Sequence, residues 1–248
     1  MSTLSVAADD VLAAGPREQR LSWPLATGVA VLPLMIAGAS ALAAQAGYVA
    51  WFAEEDGPAE NLQFIMLMVA AAGATAIAVA RGRRGERLLA CLYAWLAGAL
   101  VFLGGEEISW GQRIFGLVTP PALAERNIQG ELNLHNTFLL TRVFEMAQLV
   151  GGLLVAVLLV VPRPKHLFAH HEDFISAILP HPALAPYFAS AGLWRLYRVA
   201  TGGHSAVPWV AEYGEIIELI VYLGFLLFVA MQLAAVRALD PPAPRRAS

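Results

Sequence analysis

Apolar residues in this chain come in long blocks separated by short polar or charged interruptions. Five blocks, at about 25–51, 61–80, 88–105, 137–161 and 216–236, reach the length an α-helix needs to cross a bilayer. Helices are the expected form, because a single segment in hydrocarbon has to satisfy its own backbone N–H and C=O groups. The interruptions carry turn and stop signals: Gly57-Pro58, the arginine-rich RGRRGER at 81–87, PRPK at 162–165, and Arg237 before a Pro-rich tail. A sixth segment, 183–199, is shorter and is preceded or interrupted by Pro180, Pro182 and Pro186. Charge bias decides in its favour. Arg17, Arg20, the 81–87 cluster, Arg163 and Lys165 alternate as cytoplasmic loops should, and the tail with Arg237, Arg245 and Arg246 falls on the same side only if 183–199 crosses. The expected fold is therefore all-α, a polytopic membrane helix bundle of about six transmembrane helices with both termini cytoplasmic. It forms one domain over 23–238, flanked by a flexible tail at 1–22 and a Pro/Arg tail at 239–248. The small-residue stretch at 39–46 resembles a signal-peptidase site, but the apolar run continues beyond it, so an uncleaved first span is expected.

Composition agrees with this reading. Hydrophobic residues make up 58% of the chain, charged residues only 14%, and the mean hydropathy is +0.61. The single cysteine, Cys91, excludes an intramolecular disulfide and any cysteine-based metal cluster. No basic stripe with interleaved aromatics is present, so nucleic acid is not an expected partner, whereas the lipid bilayer is. The topology puts twelve acidic residues in outer loops or outer half-spans, against five arginines: Arg113, Arg126, Arg142, Arg195 and Arg198. An excess of that size cannot stay fully ionised in a buried cluster, so some acids must pair, bind a cation or keep a proton.

The chemistry concentrates between Gly104 and Asn136, in GGEEISWGQRIFGLVTPPALAERNIQGELNLHN. Charged and amide side chains set against membrane-length apolar segments are costly to keep without a function. Helical spacing would align Glu106 with Trp110 and Arg113, and His135 with Leu139, Arg142 and Met146. It would align Glu215 and Glu218 with Tyr222 on the last helix, and pair Glu60 with Gln63 on the second. Glu131 and His135 are spaced i,i+4, so a helix would offer both to one metal ion, with Glu215 completing the set. Glu107, Glu106 and Glu218 are the candidate catalytic carboxylates. Trp110, Gln112, Arg113, Asn136 and Arg142 are candidates for binding substrate, while Asn133 or Asn136 equally suits a helix cap. Trp110 and Phe115 also suit interfacial anchoring, and Pro120-Pro121 with Gly130 a re-entrant or interfacial loop. The histidines of HLFAHH at 166–171 have metal-like spacing but no completing acid, and read as a solvated stretch on the cytoplasmic side.

On GEEISWGQRIFG, the following TP, and QGELNLHN, the chain resembles a family of uncharacterised bacterial multi-pass membrane proteins. The resemblance extends to Glu55-Asp56-Gly57 with Glu60, and to a last helix with paired glutamates, here Glu215 and Glu218. It implies a bacterial inner-membrane location and a shared site built from those positions. It implies no particular reaction.

Three functional readings fit these residues. The first is a metal-dependent membrane enzyme using a divalent ion (Zn, Fe or Mn) on a lipid or isoprenoid substrate reached from the outer leaflet. The second is a structural or assembly subunit in which Glu–Arg pairs lock helices together, with Arg113, Arg142, Arg195 and Arg198 available as partners. The third is a proton- or cation-coupled transporter, which would place the same carboxylates on an ion pathway. The pattern contains no tight metal signature such as HExxH, and it leaves the oligomeric state open.

Overall fold

The computed structural model describes residues 21–53, 57–161, 172–202 and 213–239. The expected tails beyond these limits, Glu54, Glu55, Asp56, the basic 162–165 loop, His166, His170, His171 and Glu212 lie outside the described residues.

Among the described residues there is no strand, only an isolated antiparallel bridge between Asn127 and Thr137. Helix α1 (Trp23–Gln45) leads into the short α2 (Tyr48–Ala53), followed by α3 (Pro58–Arg83) and α4 (Arg87–Glu107). A connecting segment holds the one-turn helices α5 (Gln112–Phe115) and α6 (Pro121–Ala124). Next come α7 (Phe138–Met146), a π turn (Ala147–Gly151) and α8 (Gly152–Val160), which together make one span. The chain then forms α9 (Glu172–Ile178), α10 (Ala185–Ala200) and α11 (Tyr213–Ala238). Five helical stretches (α1, α3, α4, α7–α8 and α11) are long and apolar enough to cross a membrane, which marks a membrane protein.

Local sequence explains the helix limits. Prolines stand at the first helical positions of α3 and α6, where the missing N–H costs nothing. Helix α3 ends at a turn where Gly85 takes a φ of +78° and Arg81 Nη1 donates to Glu86 at 2.6 Å. Helix α4 ends at Glu107, because Ser109 and Trp110 both adopt left-handed backbone with φ of 47° and 54°.

The sixth segment appears as α10, sixteen residues long and preceded by a 3₁₀ turn at Pro182–Leu184. Together with α9 it runs along most of the length of α11. Just before it, α9 meets one end: Tyr93 donates to the Ala177 carbonyl and Gln232 to that of Ser176. Near its end, Arg195 reaches Glu145 and Glu218. Glu218 and Gln232 are about 21 Å apart along α11. The contacts of Tyr187 with Val29 and Gly224, and of Tyr213 with Ala37, set the directions of α1, α10 and α11. Helices α1, α3, α4, α7–α8, α10 and α11 thus alternate, and α1 begins at the end where α11 finishes.

Two glycines permit the closest of these approaches. A Cβ on Gly152 would lie 2.6 Å from the Phe188 carbonyl oxygen, and one on Gly192 would meet the Leu153 side chain at 2.5 Å. Small residues at such crossings let helix backbones pack where no hydrophobic force drives association in lipid. The densest core lies between α3, α4, α10 and α11, where Leu67, Ile77, Leu100, Tyr187 and Ile220 are fully buried. Leu34, Leu42 and Trp95 face outwards, as lipid-facing positions should.

Candidate functional site

Adjacent helical residues diverge by about 100°, and the end of α4 uses that divergence to separate its two glutamates. Glu106, 1% exposed, turns into the connecting segment. Its Oε1 accepts from Trp110 Nε1 at 2.6 Å, and its Oε2 accepts the backbone N–H groups of Leu134 and His135 at 2.7 Å each. His135 Nδ1 stands 3.4 Å from the same Oε2. A Cβ on Gly105 would lie 2.9 Å from the Trp110 ring, so the glycine makes room for the indole to fold back onto Glu106.

The motif residues around Glu106 hold one another. Glu131 Oε2 accepts from Ser109 Oγ at 2.7 Å and Asn133 Nδ2 at 2.8 Å, while its Oε1 pairs with Arg113 at 2.5 Å. Gln112 accepts from the Leu132 N–H at 2.6 Å and donates to Thr119 at 2.8 Å. Asn127 Nδ2 donates to Asn133 Oδ1 at 2.7 Å, and its Oδ1 accepts the N–H groups of Gln129 and Glu131. These bonds satisfy the polar backbone of a segment without regular structure.

Several sequence expectations are corrected here. Residues 131–136 are not helical, so the i,i+4 spacing of Glu131 and His135 does not place them on one face. The fourth span starts at Phe138, so His135 precedes the stripe of Leu139, Arg142 and Met146. Thr137 occupies the N-cap position without a side-chain cap bond. Asn133 and Asn136 are spent within the loop, Asn136 donating to Gln129. Arg142 is exposed on α7. Trp110, Gln112, Arg113 and Asn136 all take part in holding the loop, and Glu131 lies in that network rather than beside Glu215.

Glu107 turns the other way, into the bundle, where it meets Glu215 and Glu218 of α11. One carboxylate oxygen from each of the three lies within 4.8 Å of the others. Glu215 and Glu218 are three residues apart and share a helix face, as their spacing predicts. Each carboxylate has a dedicated support. Tyr222 donates to Glu107 Oε1 at 2.7 Å. Gln63 Nε2 donates to the Glu215 carbonyl at 3.0 Å and to its Oε2 at 3.2 Å. Gln148 Nε2 donates to Glu218 Oε1 at 3.0 Å, with Arg195 Nη2 at 3.6 Å. Arg195 is shared: it donates through Nε to Gln148 Oε1 and pairs with Glu145 at 3.2 Å. Gln63 is fully buried, and its Oε1 has no hydrogen-bond partner.

Three carboxylates at this separation repel one another strongly in a low-dielectric interior. One arginine divided between two glutamates does not neutralise them. The arrangement calls for a cation or protons among the carboxylate oxygens. Sequence spacing foreshadowed Glu215, Glu218 and Tyr222, but not Gln148. That residue sits in the π turn, a backbone irregularity often found at functional positions and invisible to a 3.6-residue period. No family model, curated protein sequence or solved structure matches this chain.

Proposed function

We propose that this chain is a metal-dependent enzyme of the bacterial inner membrane, acting on a lipid-like substrate, with Glu107, Glu215 and Glu218 as ligands to one divalent cation. The convergence of those three carboxylates from α4 and α11 carries the reading. The donor set fits a hard ion: three carboxylates offer only oxygen, which suits Mn among the metals considered, and Mg or Ca equally. A cation held there would polarise a phosphoryl or carbonyl oxygen and activate water. The chain's own residues do the orienting: Tyr222 fixes Glu107, Gln63 fixes Glu215, and Gln148 with Arg195 fixes Glu218. The arginines at 81–87 and Arg237 gather at the opposite end, which supports a cytoplasmic placement for that end and a periplasmic one for the carboxylates.

The test is Mn²⁺ titration of detergent-solubilised protein, followed by electron paramagnetic resonance, with a Glu215→Gln/Glu218→Gln variant alongside. About one tightly held ion per chain is expected, with affinity at least about tenfold weaker in the variant. Protein in vesicles, with and without chelator, should then convert a lipid species only when metal is present. Equal binding by both proteins, or no metal-dependent change in any lipid, would overturn the proposal.

A structural reading has one specific observation in its favour. Arg195 ties Glu145 and Gln148 of the fourth span to Glu218 of α11, as a Glu–Arg lock would. On that reading Arg195→Met prevents accumulation of folded protein. On the enzymatic reading it leaves a folded protein with weakened Glu218 positioning.

A further inference from the structure

The connecting segment that follows α4 presents an apolar lip. Ile114 is 73% exposed, Phe115 72% and Val118 87%, with Leu117 beside them. This lip begins where a membrane-spanning helix ends, so it lies at the level of the bilayer interface. Four neighbouring large apolar side chains at that level have an occupant available to cover them, the lipid itself. Gly116, with a φ of +62°, turns the chain between Phe115 and Leu117.

Behind the lip is a cavity of about 300 Å³, lined by Glu60, Asn61, Ile108, Arg113 and Ile114. Its walls are mixed: two apolar side chains, and a carboxylate, an amide and a guanidinium. Glu60, in the cavity wall, stands one helical turn before Gln63, which holds Glu215 of the carboxylate cluster. A cavity of this size with mixed walls, beside an exposed apolar lip, suits an amphiphile, its headgroup against the polar side chains and its chain against the lip.

We infer that residues 112–118 dip into the outer lipid interface and that the cavity behind them is a lateral port through which the headgroup of a membrane lipid reaches the Glu107–Glu215–Glu218 cluster. The inference rests on the enzymatic reading for its purpose, but its geometry is tested without metal or turnover.

In a Cys91→Ser background, nitroxides are placed at Val118→Cys and, separately, at Ile114→Cys in lipid nanodiscs. Val69→Cys serves as the lipid-facing reference and Glu125→Cys as the water-facing one. Collision with oxygen should exceed collision with a water-soluble nickel chelate at both lip positions, as at position 69. A water-like ratio at both positions, matching 125, overturns the dip. Benzoylphenylalanine is then placed at Ile108 and, separately, at Asn61, in nanodiscs of phosphatidylethanolamine and phosphatidylglycerol. Photocrosslinking to phospholipid is expected at these cavity positions. Crosslinking at Val69 with none at either cavity position overturns the port. Neither outcome depends on whether Mn²⁺ binds, so failure of the port and failure of the metal site are distinguishable.

Discussion

At the end of α4 the helical turn between neighbours sends Glu106 into a cage of N–H donors and Glu107 into a cluster of other carboxylates, so identical side chains carry opposite energetics. Every described hydrogen bond of Glu106 is one it accepts, and an amide in its place would turn one arm into a donor facing either the Trp110 N–H or the Leu134 and His135 N–H groups. Glu106→Gln should therefore lower stability by about 2–3 kcal/mol. Glu107→Gln, which relieves repulsion from Glu215 and Glu218, should leave stability unchanged or raise it in metal-free protein. Thermal unfolding in detergent with chelator present compares the two, and an equal loss in both would sink the distinction. His181 offers a pH-dependent counterpart outside the spans. Its Nδ1 accepts the Ala183 N–H at 3.1 Å as a helix cap, and burial lowers its pKa below the ordinary 6.5. The unfolded chain then takes up a proton near pH 6.5 while the folded one does not. Stability is therefore complete above that pH and is lost as pH falls from there towards the depressed folded pKa. His181→Asn keeps a capping acceptor without titrating, so melting between pH 7.5 and 5.5 should shift less in that variant than in the parent.

Among the elements, the fourth span and α10 depend most on one another. The π turn brings Gln148 to Glu218 and Arg195, and one turn on, Gly152 meets the α10 backbone at Phe188. Backbone cannot move aside as a flexible side chain can. Gly152→Ala should therefore cost about 1–3 kcal/mol, whereas Gly98→Ala, with nothing near its Cβ position, should be neutral or stabilising. Denaturation of the two variants in the same detergent tests this. Equal stability would mean that α10 does not pack as closely on α8 as described. The coupling has a functional side, since any shift of α10 moves Arg195, which orients the supports of Glu218.

For the whole molecule, the alternating helices put the Glu107–Glu215–Glu218 site at one end and the arginine-rich turn of 81–87 at the other. If the positive-inside bias sets the orientation, the 125–130 loop faces the periplasm. In a Cys91→Ser background, a membrane-impermeant maleimide added to intact spheroplasts should label Glu125→Cys and spare Arg84→Cys. The reverse pattern would invert the proposed topology. The bundle also explains why the acidic surplus is tolerated. Among the described residues, the connecting segment absorbs Glu106 and Glu131 in hydrogen bonds, Arg195 takes Glu145, and Glu107, Glu215 and Glu218 are left facing one another.

The number and order of the five long apolar spans were legible in the residues themselves. Apolar length, proline starts and charged stops are local properties, and lipid leaves a spanning segment few alternatives to the helix. The broken segment expected at 183–199 is a helix, α10, between residues 185 and 200. Pairs on one regular helix, such as Glu215 with Glu218, were legible for the same reason. Tertiary structure alone decided the rest. Consecutive left-handed residues at Ser109 and Trp110 end α4, so helical spacing could not carry Glu106 to Arg113, nor Glu131 to His135 across a loop. Which glutamate meets loop amides and which meets other glutamates depends on how α4 is rotated against α11. Packing sets that rotation, and it leaves no period in the sequence.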